Sequence, residues 1–122
     1  MPELVNAKAL SQQLLKDVDG MQQQFWKTRE REEEYDFFTT VKPEADRIHS
    51  CTEEWVRETK KWIIENGPKY IHANQIDATA ENINLIAVQC FFKNTSKKRF
   101  FDMCQSITYI LEDIIKKWEE TK

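Results

Sequence analysis

The chain has 122 residues, 32% of them charged, and a formal net charge of −3. That length fits one domain spanning residues 1–122, able to bury a core without a metal or disulfide staple. The slightly acidic balance lacks the basic footprint of a nucleic-acid-binding domain. Only two glycines and three prolines occur, which disfavours many short strands and tight turns and points to helices.

The first segment places Ala7, Leu10, Leu14, Val18, Met21 and Phe25 at steps of three or four, the face of an amphipathic helix. Gly20 interrupts it at a cost of about 1 kcal/mol relative to alanine. The pattern fades into residues 29–34, and Tyr35, Asp36, Phe37 and Phe38 form an aromatic connector. A second helix is predicted from near Pro43, a residue tolerated in a first turn because its missing N–H has no helical partner there. Its stripe is Ala45, Ile48, Thr52, Trp55, Thr59, Trp62 and Ile63, and Asn66-Gly67-Pro68 stops it, glycine being suited to a left-handed cap.

The third helix carries Ile76, Ala80, Ile83, Ala87, Cys90 and Phe91, with Asn74 as the expected N-cap and an end near Lys93-Asn94. Thr95 or Ser96 caps the fourth, whose stripe of Phe100, Cys104, Ile107, Leu111, Ile114 and Trp118 alternates steps of four and three, the seam of left-handed bundle packing. Short connections between the last three helices imply antiparallel neighbours. The expected fold is all-α, a four-helix up-and-down antiparallel bundle.

Residues 1–10 show no basic stretch followed by an apolar run, and no apolar segment approaches the roughly 18 residues of a membrane span. A soluble cytoplasmic protein with no membrane association is expected. Cys51, Cys90 and Cys104 form no C-x-x-C pair and lie in or beside the apolar stripes, so they read as thiols in a reducing compartment.

The distribution of charge is unusual. Helix one is expected to end in Glu30, Glu32, Glu33 and Glu34, and helix four to begin with Lys97, Lys98 and Arg99, each run of the wrong sign for its helix dipole. In an up-and-down bundle the two runs share a pole. Either they pair across it, or Lys97, Lys98 and Arg99 join free backbone N–H groups to bind an anion or an acidic partner. Tyr35, Phe37, Phe38 and Phe100 would then supply an apolar floor, with Asp36 and Lys42 beside them. At the opposite pole Lys69, Tyr70 and His72 belong to a connector in which Tyr70 and Ile71 are expected to plug the bundle base.

Metal and catalytic chemistry find little support. Di-iron bundles need Glu-x-x-His on two helices plus two further glutamates, whereas Asp46-x-x-His49 occurs once and His72 falls in a connector. Cys51 and His49, two residues apart on a helix, face different ways and cannot act as nucleophile and base. Two glycines cannot build a phosphate loop or a dinucleotide fingerprint. No cofactor, no metal and no enzymatic activity are expected.

Three strings resemble the YppE-like family of small helical proteins from Gram-positive, low-GC bacteria. They are Tyr35-Asp36-Phe37-Phe38 with Val41-Lys42-Pro43; Pro68-Lys69-Tyr70-Ile71-His72 with Gln75-Ile76; and Lys97-Lys98-Arg99-Phe100 with Asp102, Ser106 and Tyr109. The match covers roughly residues 35–115. The resemblance implies a four-helix up-and-down bundle and no activity, because the family is a domain of unknown function. The expectation is a non-enzymatic interaction or accessory protein that binds another protein at the pole around Asp36, Lys42, Lys98 and Arg99. The alternative is a bundle binding a small anion there, or a metal at His49 and Asp46. Trp26, beside Phe25 and off the stripe, predicts a partly exposed apolar patch on a monomer or weak homodimer.

Overall fold

In the computed structural model, which describes residues 6–121, four helices follow one another: α1 (Ala7–Glu30), α2 (Lys42–Asn66), α3 (Ala73–Gln89) and α4 (Lys97–Glu120). Residues 1–5, half of the stretch read for a leader, lie outside the described residues, as does residue 122. Cross-helix pairs fix the directions. Arg47 and Trp55 on α2 meet Asp17 and Ser11 on α1, and Thr52 and Lys60 meet Asn84 and Asp77 on α3. Lys8 pairs with Glu119, and Phe25 stacks on Phe100. In each pair a rising number on one helix meets a falling number on the next, so α1–α2, α2–α3 and α1–α4 are all antiparallel. The expected up-and-down bundle is present, with α1 packed most closely on α4 and α2 on α3. No described helix is long and apolar enough to cross a membrane.

Local chemistry sets most boundaries. Asn6 caps α1, its side chain accepting from the Ala9 N–H at 2.9 Å. Gly67 closes α2 in the left-handed conformation (φ 53°), with its N–H on the Ile63 carbonyl at 2.8 Å. Ser96, rather than Thr95, caps α4 by accepting from the Arg99 N–H. The expected cap of α3 is corrected. The N-cap is His72, not Asn74, and the Gln75 side chain returns to the His72 N–H at 2.7 Å, as the N3 residue of a capping box does. The same helix stops at Gln89, before Lys93-Asn94.

A π-helical turn, Phe37–Val41, leads directly into α2. It occupies what reads in sequence as an aromatic connector, and it delivers Val41 fully into the core. The remaining core follows the stripes: Leu14, Val18, Met21 and Phe25; Ile48, Trp55 and Trp62; Ile76, Ile83 and Ala87; Phe100, Cys104, Ile107, Leu111 and Ile114 are all buried. Polar residues join them. Ser11, Thr28, Thr52, Thr59 and Thr79 are buried too, and Thr28 ties α1 to the end of α3 by donating to the Cys90 carbonyl at 2.7 Å.

Gly20 has no packing reason to be glycine, since a Cβ built there would meet nothing within 4 Å. Gly20→Ala is therefore expected to stabilise the bundle by about 1 kcal/mol, the full difference in helix propensity. Urea unfolding would show this as a higher midpoint at unchanged slope; a lower midpoint would reveal a steric demand the geometry does not contain.

Candidate functional site

The pole formed by the end of α1 and the start of α4 carries a cluster of rings. Phe25 and Phe100 are core residues, their centroids 4.6 Å apart and nearly parallel. Trp26 and Phe101 each follow a core residue by one position, a turn of about 100° on a helix, and so face outward. Trp26 is 45% exposed, and its ring stacks on Phe101 at 5.6 Å with an interplanar angle of 29°. Phe25 meets both edge-on at 5.1 Å. Lys97 lays its ammonium 5.2 Å from the Trp26 ring centroid, a cation–π geometry. Together Trp26, Phe101, Lys97, Lys98 and Asp102 line a shallow, largely apolar cleft of about 350 Å³.

The charges here have local partners. Lys98 donates to Asp102 at 2.7 Å within α4, and this hydrogen bond holds the ammonium pKa above its ordinary value. Arg29 lies 4.3 Å over the Phe25 ring and donates to the Thr95 carbonyl, tying α1 to the α3–α4 turn. Among the described residues no ion pair joins Glu30, Glu32, Glu33 or Glu34 to Lys97, Lys98 or Arg99, so the pairing across the pole is not formed. The helix stops at Glu30, which leaves Glu32, Glu33 and Glu34 outside α1 and corrects their placement in its last turn.

The other string at this pole is organised separately. Tyr35 accepts a hydrogen bond from Gln24 at 2.8 Å, meets Phe91 edge-on, and lies under the Arg31 guanidinium. Asp36 accepts from the Thr39 hydroxyl at 2.6 Å and so steadies the π-helical turn; Lys42 pairs with Asp46 at 2.8 Å. Phe37 and Phe38, the latter 74% exposed, touch each other edge-on. Among the described residues no ring contact joins them to Phe100, which is fully buried and cannot floor an open site. Trp26 and Phe101 hold that position instead. Trp26 is legible in the sequence by its offset from the stripe, and Phe101 carries the same signal, unread.

At the opposite pole Ile71 is buried as expected, but Tyr70 is not. It sits at φ 66°, is 78% exposed, and lies 5.7 Å beneath the Lys117 ammonium. The left-handed backbone turns its side chain out instead of plugging the base. Lys69 is exposed, and His72 caps α3. The His49 ring lies 3.7 Å from the Glu53 carboxylate with both side chains exposed, while Asp46 is engaged by Lys42. Among the described residues no three His, Cys, Asp or Glu side chains gather at metal-holding range. The three cysteines are free thiols, Cys90 and Cys104 buried and Cys51 half-buried.

Comparison with known proteins agrees with this architecture. The sequence matches the bacterial domain of unknown function DUF1798 over residues 11–118. It is 31% identical over 112 residues to the uncharacterized protein YppE of Bacillus subtilis (strain 168), covering 86% of this chain and 91% of that one. The crystal structure of B. subtilis YppE superposes with a TM-score of 0.87 at 24% identity, covering 95% of this chain and 96% of that one, a likeness of fold. A DUF1798 domain from Staphylococcus aureus subsp. aureus superposes with a TM-score of 0.82 at 31% identity, covering 91% and 94% of the two chains. With both poles and nearly the whole bundle inside the matched region, the chain belongs to the DUF1798, YppE-like family.

Proposed function

We propose that this protein is a non-enzymatic accessory protein of the cytoplasm that binds another protein through the pole shared by α1 and α4. The observation that carries the reading is the half-exposed Trp26, stacked on Phe101 and roofed by Lys97. Trp and aromatic neighbours within a basic rim are the composition of interface hot spots. The first turn of α4, with Lys97, Lys98 and Arg99 all exposed, favours a partner segment that is acidic and carries one apolar anchor. Asp36 and Lys42, held by Thr39 and Asp46, lie outside the Trp26–Phe101 cleft. At the places the sequence suggests for an anion or a metal, Ser96 accepts from the Arg99 N–H and Lys42 pairs with Asp46.

In-cell crosslinking followed by mass spectrometry tests this, comparing the natural chain with Trp26→Ser and with Lys98→Glu/Arg99→Glu, each checked for intact helicity. A hot-spot loss of about 2 kcal/mol predicts roughly 30-fold weaker binding with Trp26→Ser, and a corresponding fall in crosslinked partner where the site is unsaturated. Charge reversal should slow association and make it less sensitive to salt. An unchanged set of partners from both folded variants would sink the reading.

A further inference from the structure

The pole formed by the end of α1 and the start of α4 has two edges of opposite charge. Along one runs the α1–α2 connection, where residues 30–38 hold the acids Glu30, Glu32, Glu33, Glu34 and Asp36 against a single base, Arg31. Along the other runs the α3–α4 turn, where residues 92–99 hold Lys93, Lys97, Lys98 and Arg99 and no acid. These acids and bases are all exposed. The edges lie on opposite sides of the pole, because α1 packs beside α2, and α3 beside α4, around the bundle. Lys98 pairs with Asp102 in its own helix yet keeps 85% of its side chain exposed, and Arg31 lies over the Tyr35 ring. Among the described residues no ion pair reaches the side chains of Glu30, Glu32, Glu33 or Glu34, nor those of Lys93, Lys97 or Arg99. Each edge also carries exposed rings. Phe37 and Phe38, the latter 74% exposed, stand on the acidic edge. Phe92, 39% exposed, stands on the basic one and lines, with Leu85, Arg99 and Met103, a cleft of about 470 Å³.

A surface with opposite charges on opposite edges is complementary to a second copy of itself. A two-fold axis lying in the plane of the pole, parallel to both edges, brings each acidic edge over the basic edge of the other copy, so every contact is made twice. We propose that two copies of this chain associate pole to pole in this way. Glu33 and Glu34 of each copy face Lys98 and Arg99 of the other, and Phe38 of each meets Phe92 of the other. A single exposed ion pair is worth less than about 1 kcal/mol, but here several converge around rings that lose their contact with water. The size of the pole sets the strength. Four helices, each about 10–12 Å across, present roughly 400–600 Å² per copy, less than the about 800 Å² per partner of a stable complex. The pair is therefore transient and sensitive to salt. This inference goes beyond the protein-binding reading and does not rest on it, since Trp26 and Phe101 stack on the α1–α4 flank and take no part in either edge.

Sedimentation velocity on the purified full chain, from about 10 µM to about 1 mM, tests this. The mean sedimentation coefficient is expected to rise with concentration at about 50 mM salt and to stay near the monomer value at about 500 mM. Lys98→Glu/Arg99→Glu and Glu33→Lys/Glu34→Lys should each be monomeric alone, because like charges then face each other at both contacts. An equimolar mixture of the two should associate again, because opposite charges are restored at both contacts. Lys61→Glu/Lys116→Glu makes the same change of net charge as the first variant, on exposed residues at the opposite pole, and should still self-associate. Phe38→Ser should weaken association about 10-fold. Trp26→Ser should leave it unchanged, so this inference and the protein-binding reading fail separately. A monomer at every concentration, association that strengthens with salt, loss of association in Lys61→Glu/Lys116→Glu, or a mixture that stays monomeric would each overturn the proposal.

Discussion

Ser11→Ala, a change of one oxygen atom, is expected to destabilise the bundle by about 1–3 kcal/mol. Ser11 and Trp55 are both fully buried, and the indole Nε1 donates to the Ser11 hydroxyl at 2.9 Å across the α1–α2 interface. Alanine has the better helix propensity, by less than about 0.7 kcal/mol. That gain is smaller than the cost of an indole N–H left in the core without an acceptor, so the net effect is a loss. Trp55→Ala should cost about 3–5 kcal/mol, since it removes the largest fully buried side chain and leaves a void. Against a total stability of about 5–15 kcal/mol, that variant sits at the edge of folding. Trp55→Phe is the informative partner, because it removes the donor while keeping a ring. Introduced into a Trp55→Phe background, Ser11→Ala should cost markedly less than in the natural chain, with a coupling of about 0.5–3 kcal/mol in a double-mutant cycle followed by urea. Equal costs in both backgrounds would show that the bond contributes nothing.

The Ser11–Trp55 pair also marks what the stripe leaves unread. Apolar periodicity in α1 names Leu14, Val18, Met21 and Phe25, yet Ser11 and Thr28 are as buried as any of them. Small hydroxyl residues enter a helical core when a donor or acceptor on a neighbouring helix meets them, and that neighbour is set by tertiary packing. The helices themselves are legible because stripes at steps of three and four can be buried only in a bundle. Helix ends are legible where the signal is backbone chemistry, as at Gly67, and misread where two residues compete for a cap. His72 prevails over Asn74 because Gln75 stands three residues after it and returns to its N–H. The π-helical turn before α2 has no such signature; Phe37 and Phe38 look like a connector, and only the buried Val41 shows that the chain is already winding into the helix.

Of the candidate pole, the residue types were legible and their grouping was not. Lys97, Lys98 and Arg99 stand where the periodicity of α4 puts them, but Phe100 is on that helix's core face, and Phe101, one residue on, provides the open surface. Ion pairing is equally local. Lys42 and Lys98 each take the acid four residues later in their own helix, a spacing that holds the two side chains on one face. A long-range pair with Glu30 or Glu33 would have to order two long exposed side chains for less than about 1 kcal/mol. The cleft lined by Asp17, Met21, Arg47 and Ala87 is invisible in sequence, because it needs residues from α1, α2 and α3 that only the bundle brings together.

Alkaline pH is expected to unfold this protein through its cysteines. Burial pushes the thiol pKa of Cys90 and of Cys104 up to about 12, whereas in an unfolded chain a thiol ionises near 8.5. Between those values the unfolded chain has lost protons that the native chain still holds. Stability therefore falls as pH rises, by about 1.4 kcal/mol per pH unit for each thiol. The contribution is fully present below the unfolded pKa and is gone once pH passes the folded one. Burial, then the Asp17 charge, also raises the Cys51 thiol, which acts in the same direction. The measurement is a difference: urea unfolding at pH 8 and pH 10 for the natural chain and for Cys90→Ala/Cys104→Ala. The variant starts less stable at pH 8 because it has lost two buried sulfur atoms. Between the two pH values the natural chain should lose about 4 kcal/mol more than the variant does. Parallel losses in the two proteins would mean that the native thiols ionise near 8.5 as well, and that Cys90 and Cys104 are open to water.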